Sequence, residues 1–256
     1  MIILGIIQAR LGSSRLPNKV LKDFNGKPML NFLLNRVKKS KYISEIVVAT
    51  TTSDRDNQLV SWLQNEKINI FRGSEEDVLR RFYDCAEFFH ADIIVRITAD
   101  DPFKDPKVID RAVEIFLNSN TLDYVSNTIE ISYPEGIDIE VFSFQALSIA
   151  NTEAKSKFQR EHVTPYIIEN PKKFNIKNFC FSEDLSSYRL TVDHPEDFIK
   201  ALKISKHFYD NPNVEFIEII DFLKKNPKIA NINSNVKSRE YLIDQNNGEI
   251  DERNEE

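Results

Sequence analysis

IILGIIQARLGSSRLPNKVLKDFNGKP, residues 2–28, is the stretch that decides the fold of this chain. Residues 2–7 are an apolar run interrupted only by Gly5, which is typical of a strand buried on both faces of a sheet. Gly12 and the two serines after it favour a loop over a continuing strand. Such a loop can turn its backbone N–H groups inward and so bind an anion. The stretch therefore predicts a buried first strand followed by an anion-binding loop.

Three cations follow the predicted strand in this loop, at Arg10, Arg15 and Lys19. Each arginine can bind a phosphate group through two parallel hydrogen bonds. A polyphosphate needs such cations, because its charge is too large for backbone dipoles alone. The alternative is a solvent-exposed loop whose cations happen to lie close together. The loop matches neither the Walker A sequence nor GxGxxG, so the sequence does not support an ordinary ATPase or a dinucleotide-binding protein.

Strand and helix patterns alternate through the first half of the chain. The pattern predicts strands at 45–50, 69–72 and 92–98, and helices that begin near Pro28, Asp54, Ser74 and Pro106. Repeated βα units predict an α/β fold with a doubly wound, mostly parallel sheet. Because ligands bind beyond the carboxyl ends of parallel strands, we expect the cationic loop, residues 72–74 and Asp100 to meet at one edge.

The second half of the chain has a less regular pattern. It predicts strands at 123–126, 139–142, 175–181 and 188–192, a turn at 133–136, and helices at 144–154, 161–169, 195–207 and 215–225. Neither an internal repeat nor a clear linker is visible, so we predict a single domain over residues 1–230. Residues 231–256 are rich in Asn, Ser, Lys, Asp and Glu, which predicts a polar, disordered tail.

The overall charge and the cysteines narrow the class of protein. A net charge of −6 and a pI near 5.4 argue against nucleic acid as the main partner, because no broad basic surplus can neutralise phosphates. Cys85 and Cys180 lie far apart without metal-type spacing, and we interpret both as buried free thiols in a reducing cytoplasm. No apolar run approaches a membrane span, and residues 2–7 are too short for a signal peptide. We therefore predict a soluble, cytoplasmic protein without membrane segments.

A second group of chemically capable residues consists of the carboxylates Asp100, Asp101 and Asp193. Asp100 and Asp101 end a hydrophobic strand, where carboxylate oxygens suit Mg²⁺, which prefers one or two carboxylates plus phosphate and water. The alternative is that Asp101-Pro102 begins a turn and that Asp193 only starts a helix. Together with a triply cationic loop after the first strand, the carboxylates favour metal binding.

The run QARLGSSRLPNKVLKDFNGKPML at residues 8–30 resembles the pyrophosphorylase loop of the bacterial CMP-sugar synthetases. It is most similar to the SpsF-type spore-coat polysaccharide cytidylyltransferases, and next to 3-deoxy-manno-octulosonate cytidylyltransferase. The resemblance continues through FRGSEEDVLRRFYDCA, ADIIVRITADDPFKDP, YPEGIDIEVFS and LTVDHPEDF, and covers about residues 2–200. Two departures are visible. Asn18 stands where the family commonly has Gly, a mild change because Asn tolerates left-handed backbone, and residues 99–102 are Ala-Asp-Asp-Pro where the family has Gly-Asp-Cys-Pro.

The resemblance implies a Rossmann-like nucleotide-diphospho-sugar transferase fold with a small β-containing segment at 128–180 for acceptor binding and dimerisation. It also implies a homodimer. It implies a nucleotide site made by Ala9, Arg10, Gly12, Ser13, Arg15 and Lys19, with Arg72, Gly73 and Ser74 recognising the cytosine ring. For residues 72–74, the alternative is a charged turn before a capped helix.

The resemblance further implies that Asp100 and Asp193 hold a catalytic Mg²⁺, or Mn²⁺ in its place, with Asp101 beside them. Arg10, Lys19 and Asp100 are then the catalytic residues. The acceptor-binding residues that it implies are Tyr133, Glu135, Asp138, Glu161 and His162.

The implied activity is transfer of CMP from CTP to a small acidic acceptor, such as a sugar acid for a surface polysaccharide or glycan, with release of pyrophosphate. One alternative is a metal-dependent glycosyltransferase that binds a nucleotide-sugar. The cationic loop argues against it, since a diphosphate-sugar donor needs less charge there. Another is a non-catalytic nucleotide-binding protein, and the joint presence of Arg10, Lys19, Asp100 and Asp193 argues against that.

Overall fold

The computed structural model describes residues 1–119, 121–211 and 213–238 of the chain. Within them, a seven-stranded sheet runs in the order β3-β2-β1-β4-β6-β5-β7. The strands are β1 (Ile3–Gln8), β2 (Glu45–Thr51), β3 (Asn69–Gly73), β4 (Ile93–Thr98), β5 (Tyr124–Ser126), β6 (Glu140–Ser143) and β7 (Ile176–Asn178). Only β6 runs antiparallel to its neighbours, which confirms the predicted mostly parallel sheet.

Helices cover both faces of the sheet. They are α1 (Met29–Val37), α2 (Asn57–Asn65), α3 (Val78–Phe88), α4 (Pro106–Leu117), α5 (Phe144–Glu153), α6 (Lys157–His162), α7 (Pro165–Glu169), α8 (Pro195–His207), α9 (Phe216–Lys225) and α10 (Pro227–Ala230). The helix predicted at 195–207 is confirmed at both ends. Its first residue is proline, whose missing N–H costs nothing at that position.

β1 lies in the middle of the parallel part of the sheet and is buried on both faces, as predicted. Ile3 and Ile7 join one hydrophobic core, which contains α1 and α4. Leu4 and Ile6 point into the other core, which contains α3 and α5. The continuous apolar run in the sequence thus reflects a strand that supplies two cores at once.

Several predicted elements differ in the structure: the strand predicted at 175–181 covers only Ile176–Asn178, and the helix predicted to begin near Ser74 begins at Val78. The helix predicted at 161–169 is divided into α6 and α7 at Val163, which has a φ of 75°. Pro165 explains the break, because it has no N–H to continue the helical hydrogen bonds. Residues 188–192 form only an isolated bridge between Arg189 and Glu135 instead of a strand.

The predicted turn at 133–136 brings the chain against this bridge. Gly136 has a φ of 99°, and a Cβ at that position would lie 2.7 Å from the backbone nitrogen of Thr191. Glycine is therefore required there both by the backbone conformation and by the close approach of residue 191.

The first part of the predicted tail, residues 231–238, packs against the body of the protein. Asn231–Asn233 forms a 3₁₀ turn after α10, and the Asn233 side chain is buried. The packed part of the chain thus extends past residue 230. Residues 239–256, including the stretch at 245–256, lie outside the described residues.

In the described part of the chain, no helix is both long and apolar enough to cross a membrane. Cys85 is buried, as predicted, and burial raises the pKa of its thiol to about 12. The prediction that Cys180 is buried was wrong, because Cys180 follows the edge strand β7 and is exposed.

Candidate active site

A cavity of about 1290 Å³ opens beyond the carboxyl ends of β1 and β4. Its wall combines the loop after β1, the segment after β4, the start of α3, and α6. The residues that matter below include Arg10, Arg15, Lys19, Asp100, Glu161 and Asp193. The cavity exceeds the usual volume of a site for one small ligand. As predicted, the cationic loop and Asp100 lie at the same edge of the sheet.

The cationic loop is anchored by a carboxylate that the sequence analysis missed, Asp56. Its Oδ1 accepts a hydrogen bond of 2.7 Å from the backbone N–H of Leu11, and its Oδ2 accepts from the hydroxyls of Thr50 and Thr51. Burial opposes the charge of Asp56, but these hydrogen bonds outweigh it and lower the pKa of the carboxyl. The only sequence signal was a polar cluster after a buried strand.

The backbone conformation explains why the chain can have Asn18 where the resembling family commonly has Gly. Asn18 has a φ of 56°, the left-handed conformation that asparagine tolerates better than most residues. Its N–H donates to the carbonyl of Leu11, which closes the loop before Lys19 begins a short 3₁₀ turn. Gly12 and Ser13 line the cavity from this loop, and the buried Ala9 lines it at its base.

The three loop cations have two different environments. Arg10 and Arg15 are exposed at the cavity, whereas Lys19 is 9% exposed. The Lys19 ammonium lies 2.9 Å from Asp100 Oδ2 and 2.8 Å from Asp193 Oδ1. Burial opposes the charge on Lys19, but the two carboxylates raise its pKa above the ordinary value. In return, Lys19 lowers the pKa of Asp100 against the cost of burial.

The second oxygen of Asp193 is held from the other side by Arg189. Arg189 donates to Asp193 Oδ2 at 2.9 Å, to Glu135 at 2.7 Å and to Asp197. This arginine is almost fully buried, and Asp197 and Glu135 raise its pKa despite the burial. Asp193 therefore sits in an oriented position between two cations.

Asp101 points to a different part of the site. Its Oδ2 accepts from the Thr98 hydroxyl at 2.5 Å and lies 2.8 Å from the buried ammonium of Lys104. Lys104 also contacts the backbone carbonyl of Asp138. Asp101 thus stabilises the wall next to Asp100 and does not join the Lys19 cluster.

The donor set around Lys19 fits a divalent cation. Asp100 and Asp193 both bind the Lys19 ammonium, so one oxygen of each carboxylate lies close enough to the other to share a cation. Among the described residues there is no group of three or more His, Cys, Asp or Glu side chains that could hold a metal ion. Two carboxylates suffice for Mg²⁺, which takes its other ligands from phosphate and water.

The segment predicted to recognise the base is oriented differently from the expectation. The Arg72 guanidinium donates to the carbonyls of Thr51 and Ser53 and to Asn57 Oδ1, each at 2.9 Å. These three bonds hold the Arg72 guanidinium against residues 51–57. The cavity lining includes neither Arg72 nor Gly73 nor Ser74.

Arg81, eight residues beyond Gly73 on α3, is the arginine of this region that lines the cavity. It is 2% exposed, donates to the carbonyl of Ser74 at 2.5 Å, and its Nε has no hydrogen-bond partner in the described structure. Burial, and then the nearby charge of Arg10, lower its pKa to about 10. A Cβ at Gly73 would lie 2.9 Å from Arg81 Cγ, so the glycine gives Arg81 room.

Four of the five predicted acceptor residues line the cavity, namely Glu135, Asp138, Glu161 and His162. Glu161 and His162 reach it from α6. Tyr133 does not, because its ring packs in the core against Phe179, Phe181 and Phe216.

A buried charged network at the sheet end of the cavity was not expected from the sequence. Arg96 on β4 pairs with Glu140 on β6, and Glu140 also accepts from the hydroxyls of Tyr124 and Thr164. Burial opposes ionisation of Glu140, but Arg96 and these hydroxyls lower its pKa overall. The signal was an arginine inside the otherwise apolar strand IIVRIT.

The likeness to known proteins agrees with this geometry. The family model of the cytidylyltransferases matches residues 4–248. The spore coat polysaccharide biosynthesis protein SpsF of Bacillus subtilis is 34% identical over 235 residues, which cover 89% of this chain and 96% of that protein.

Solved structures share the fold. A cytidylyltransferase from Leptospira borgpetersenii superposes with a TM-score of 0.86 at 34% identity, over 90% of this chain and 97% of that one. CMP:2-keto-3-deoxy-manno-octonic acid synthetase complexed with CTP superposes with a TM-score of 0.64 at 20% identity, over 81% and 99%, which supports the fold alone. The chain thus belongs to the cytidylyltransferase family.

Proposed function

We propose that this protein transfers CMP from CTP to a hydroxyl group of a small acidic acceptor and releases pyrophosphate. The observation that carries the proposal is the cluster of Lys19, Asp100 and Asp193 beside two exposed arginines in one cavity. This arrangement places fixed positive charge next to a pair of converging carboxylates. Nucleotidyl transfer needs both, the first for the polyphosphate and the second for a metal ion.

In the proposed reaction, an acceptor oxygen attacks the α-phosphorus of CTP. The bond from the α-phosphorus to the oxygen that bridges it to the β-phosphate breaks, pyrophosphate leaves with that oxygen, and the acceptor proton passes to solvent. Arg10 and Arg15 bind the β- and γ-phosphates and offset the charge that develops on the leaving group. Lys19 aligns Asp100 and Asp193 and lowers the pKa of the Asp100 carboxyl. Mg²⁺ held by these two carboxylates would polarise the α-phosphate and lower the pKa of the acceptor hydroxyl.

We place recognition of the cytosine on the region around Arg81 instead of on Arg72. Arg81 lines the cavity with a planar group of donors, and cytosine offers acceptors at O2 and N3. UTP presents a donor at N3, so the two pyrimidines match such a site differently. A buried polar group left unmatched by the wrong base discriminates strongly.

The acceptor is proposed to lie at the end of the cavity formed by α6 and the Arg96–Glu140 network. The basic residues that line this end are Arg96, Lys104, Lys157 and His162, of which Arg96 is paired with Glu140 and Lys104 with Asp101. Lys157 and His162 are therefore the residues proposed to bind the acidic group of the acceptor. The names of the SpsF and 3-deoxy-manno-octulosonate cytidylyltransferase relatives are consistent with a sugar acid for a surface polysaccharide or glycan.

We further propose a cytoplasmic homodimer that uses the 128–180 segment. The support is the exposure of Ile129 and Cys180 beside the edge strand β7. Dimerisation would cover this edge of the sheet.

Pyrophosphate release from CTP, UTP, ATP and GTP, each with a panel of sugar acids and neutral sugars, tests the function. We expect release only with Mg²⁺ or Mn²⁺, with CTP preferred and with an acidic acceptor required. Transfer of a sugar from a nucleotide-sugar, without pyrophosphate release from any triphosphate, would favour the glycosyltransferase alternative instead.

A further inference from the structure

The segment that follows α10 ends in a buried contact with the carboxylate network of the active site. Asn233 is 5% exposed, and its side-chain amide donates to Asp197 Oδ1 at 2.7 Å. The oxygen of the same amide accepts from the buried ammonium of Lys200 at 3.0 Å. Both ends of this side chain are therefore used inside the protein.

Asp197 transmits this contact to the backbone at Asp193. Its Oδ2 accepts from the backbone N–H groups of Asp193 and His194, each at 3.0 Å. Asp197 is 1% exposed and also binds Arg189, whose guanidinium holds Asp193 Oδ2. Asn233 thus fixes the carboxylate of Asp197. That carboxylate orients Asp193 in two ways: it binds the backbone N–H of Asp193, and it binds Arg189, which in turn holds the Asp193 side chain.

A second contact joins the same segment to the network five residues later. The Ser238 hydroxyl donates to Glu135 Oε2 at 2.6 Å, and Oε1 of Glu135 accepts from Arg189 at 2.7 Å. Arg189 binds three carboxylates, those of Asp193, Asp197 and Glu135. Asn233 contacts Asp197 and Ser238 contacts Glu135, so this segment contacts both of the partners other than Asp193.

We infer that Asn233 is a positioning residue for the metal ligand Asp193, and that residues 233–238 support the metal site through their contacts with Asp197 and Glu135. This inference rests on the metal site of the proposed function, because Asp193 is a metal ligand only if the site takes a divalent cation such as Mg²⁺. Groups that orient metal ligands typically change metal affinity about 10–100-fold when they are removed. A role in packing α8 alone would lower stability without changing metal affinity.

The test is Mn²⁺ binding, measured by electron paramagnetic resonance on the full chain with a non-hydrolysable CTP analogue, well below the unfolding temperature. Asn233→Ala should raise the Kd for Mn²⁺ about tenfold or more. Asn233→Asp is the second variant, because it keeps the size of the side chain and the acceptor for Lys200. It replaces the donor to Asp197 with an oxygen, so it should also weaken Mn²⁺ binding.

Leu223→Ala is the matched control. Leu223 is fully buried in α9, outside the hydrogen-bonded network, so its truncation lowers the unfolding temperature of the same C-terminal part. We expect its Kd for Mn²⁺ to stay at the wild-type value. Wild-type Mn²⁺ affinity in both Asn233 variants, or equal weakening in Leu223→Ala, would overturn the inference.

The same samples separate this inference from the proposed function. If the wild type binds Mn²⁺ and releases pyrophosphate from CTP while both Asn233 variants bind Mn²⁺ normally, only the inference fails. If the wild type binds Mn²⁺ and the variants bind it weakly, but CTP is not turned over, the proposed function fails and the inference about Asp193 stands. A wild type that binds no Mn²⁺ overturns both.

Discussion

The Lys19 ammonium lies 2.8 Å from Asp193 Oδ1, although 174 residues separate the two in the chain. The contact joins the loop after the first strand to the segment before α8, and Asp100 after β4 completes it. Three parts of the chain therefore place their charges at one point. Truncation of Lys19 removes the ammonium that Asp100 is paired with and leaves this partly buried carboxylate without that partner, which is costly.

Arg10→Ala tests the polyphosphate site. Arg10 is exposed, so its removal should leave the fold intact, while loss of a charge-assisted contact to the transition state should cost about 2–4 kcal/mol in kcat/KM for CTP. Steady-state kinetics of pyrophosphate release measures this. Arg80→Ala, which removes an exposed arginine of α3 paired with Asp84, is the control and should keep wild-type kinetics. Near-wild-type turnover in Arg10→Ala would remove Arg10 from the site.

Arg72→Ala and Arg81→Lys should separate structural support from base recognition. Arg72→Ala should lower the free energy of unfolding by roughly 1–3 kcal/mol through its lost hydrogen bonds, with the ratio of kcat/KM for CTP and UTP unchanged. Arg81→Lys keeps the charge but loses the planar donor group, so that ratio should fall. Calorimetry with both nucleotides provides an independent measurement. A selectivity change in Arg72→Ala alone would return base recognition to Arg72.

Lys200 gives a pH prediction. Burial lowers its pKa to about 8, whereas an unfolded lysine titrates near 10.4. Between these values the unfolded state binds more protons, so this group makes stability rise as the pH rises. Urea unfolding from pH 7.5 to 10.5 should show a smaller rise in Lys200→Met than in the wild type. Parallel pH profiles of the two proteins would contradict the prediction.

The two thiols should differ in reactivity. Cys180 is exposed and Cys85 is buried with a raised pKa, so a thiol reagent should modify one thiol of the native chain and two after denaturation. Cys180→Ser should abolish the fast reaction, whereas Cys85→Ser should leave it in place. Fast labelling of Cys85 in the native protein would show that the α3 core opens readily.

The features that could be predicted from the sequence are those that depend on the local pattern of residues. The buried β1, the loop at Gly12 and the helix from Pro195 to His207 all follow from periodicity, glycine and proline. The choice between Arg72 and Arg81 did not, because both follow Phe71 within ten residues and only tertiary packing decides which side chain enters the cavity.

Contacts between residues that lie far apart in the chain could not be predicted from the sequence either. Tyr133 was expected near the acceptor, but the aromatic side chains that surround it lie up to 83 residues away and draw it into the core. Asn233 was expected in a disordered tail because its neighbours are polar. Its burial depends on Lys200 and Asp197, which no local pattern connects to it.

The central claim is that Asp100 and Asp193 hold the divalent cation for CMP transfer. Its most direct test is pyrophosphate release from CTP as a function of Mg²⁺ concentration in the wild type, Asp100→Asn and Asp193→Asn. Because each change removes one of two ionic ligands, we expect kcat to fall roughly 10²–10³-fold or more in each variant and the wild type to stop in EDTA. Wild-type turnover in EDTA, or in a folded Asp193→Asn protein at ordinary Mg²⁺, would contradict the claim.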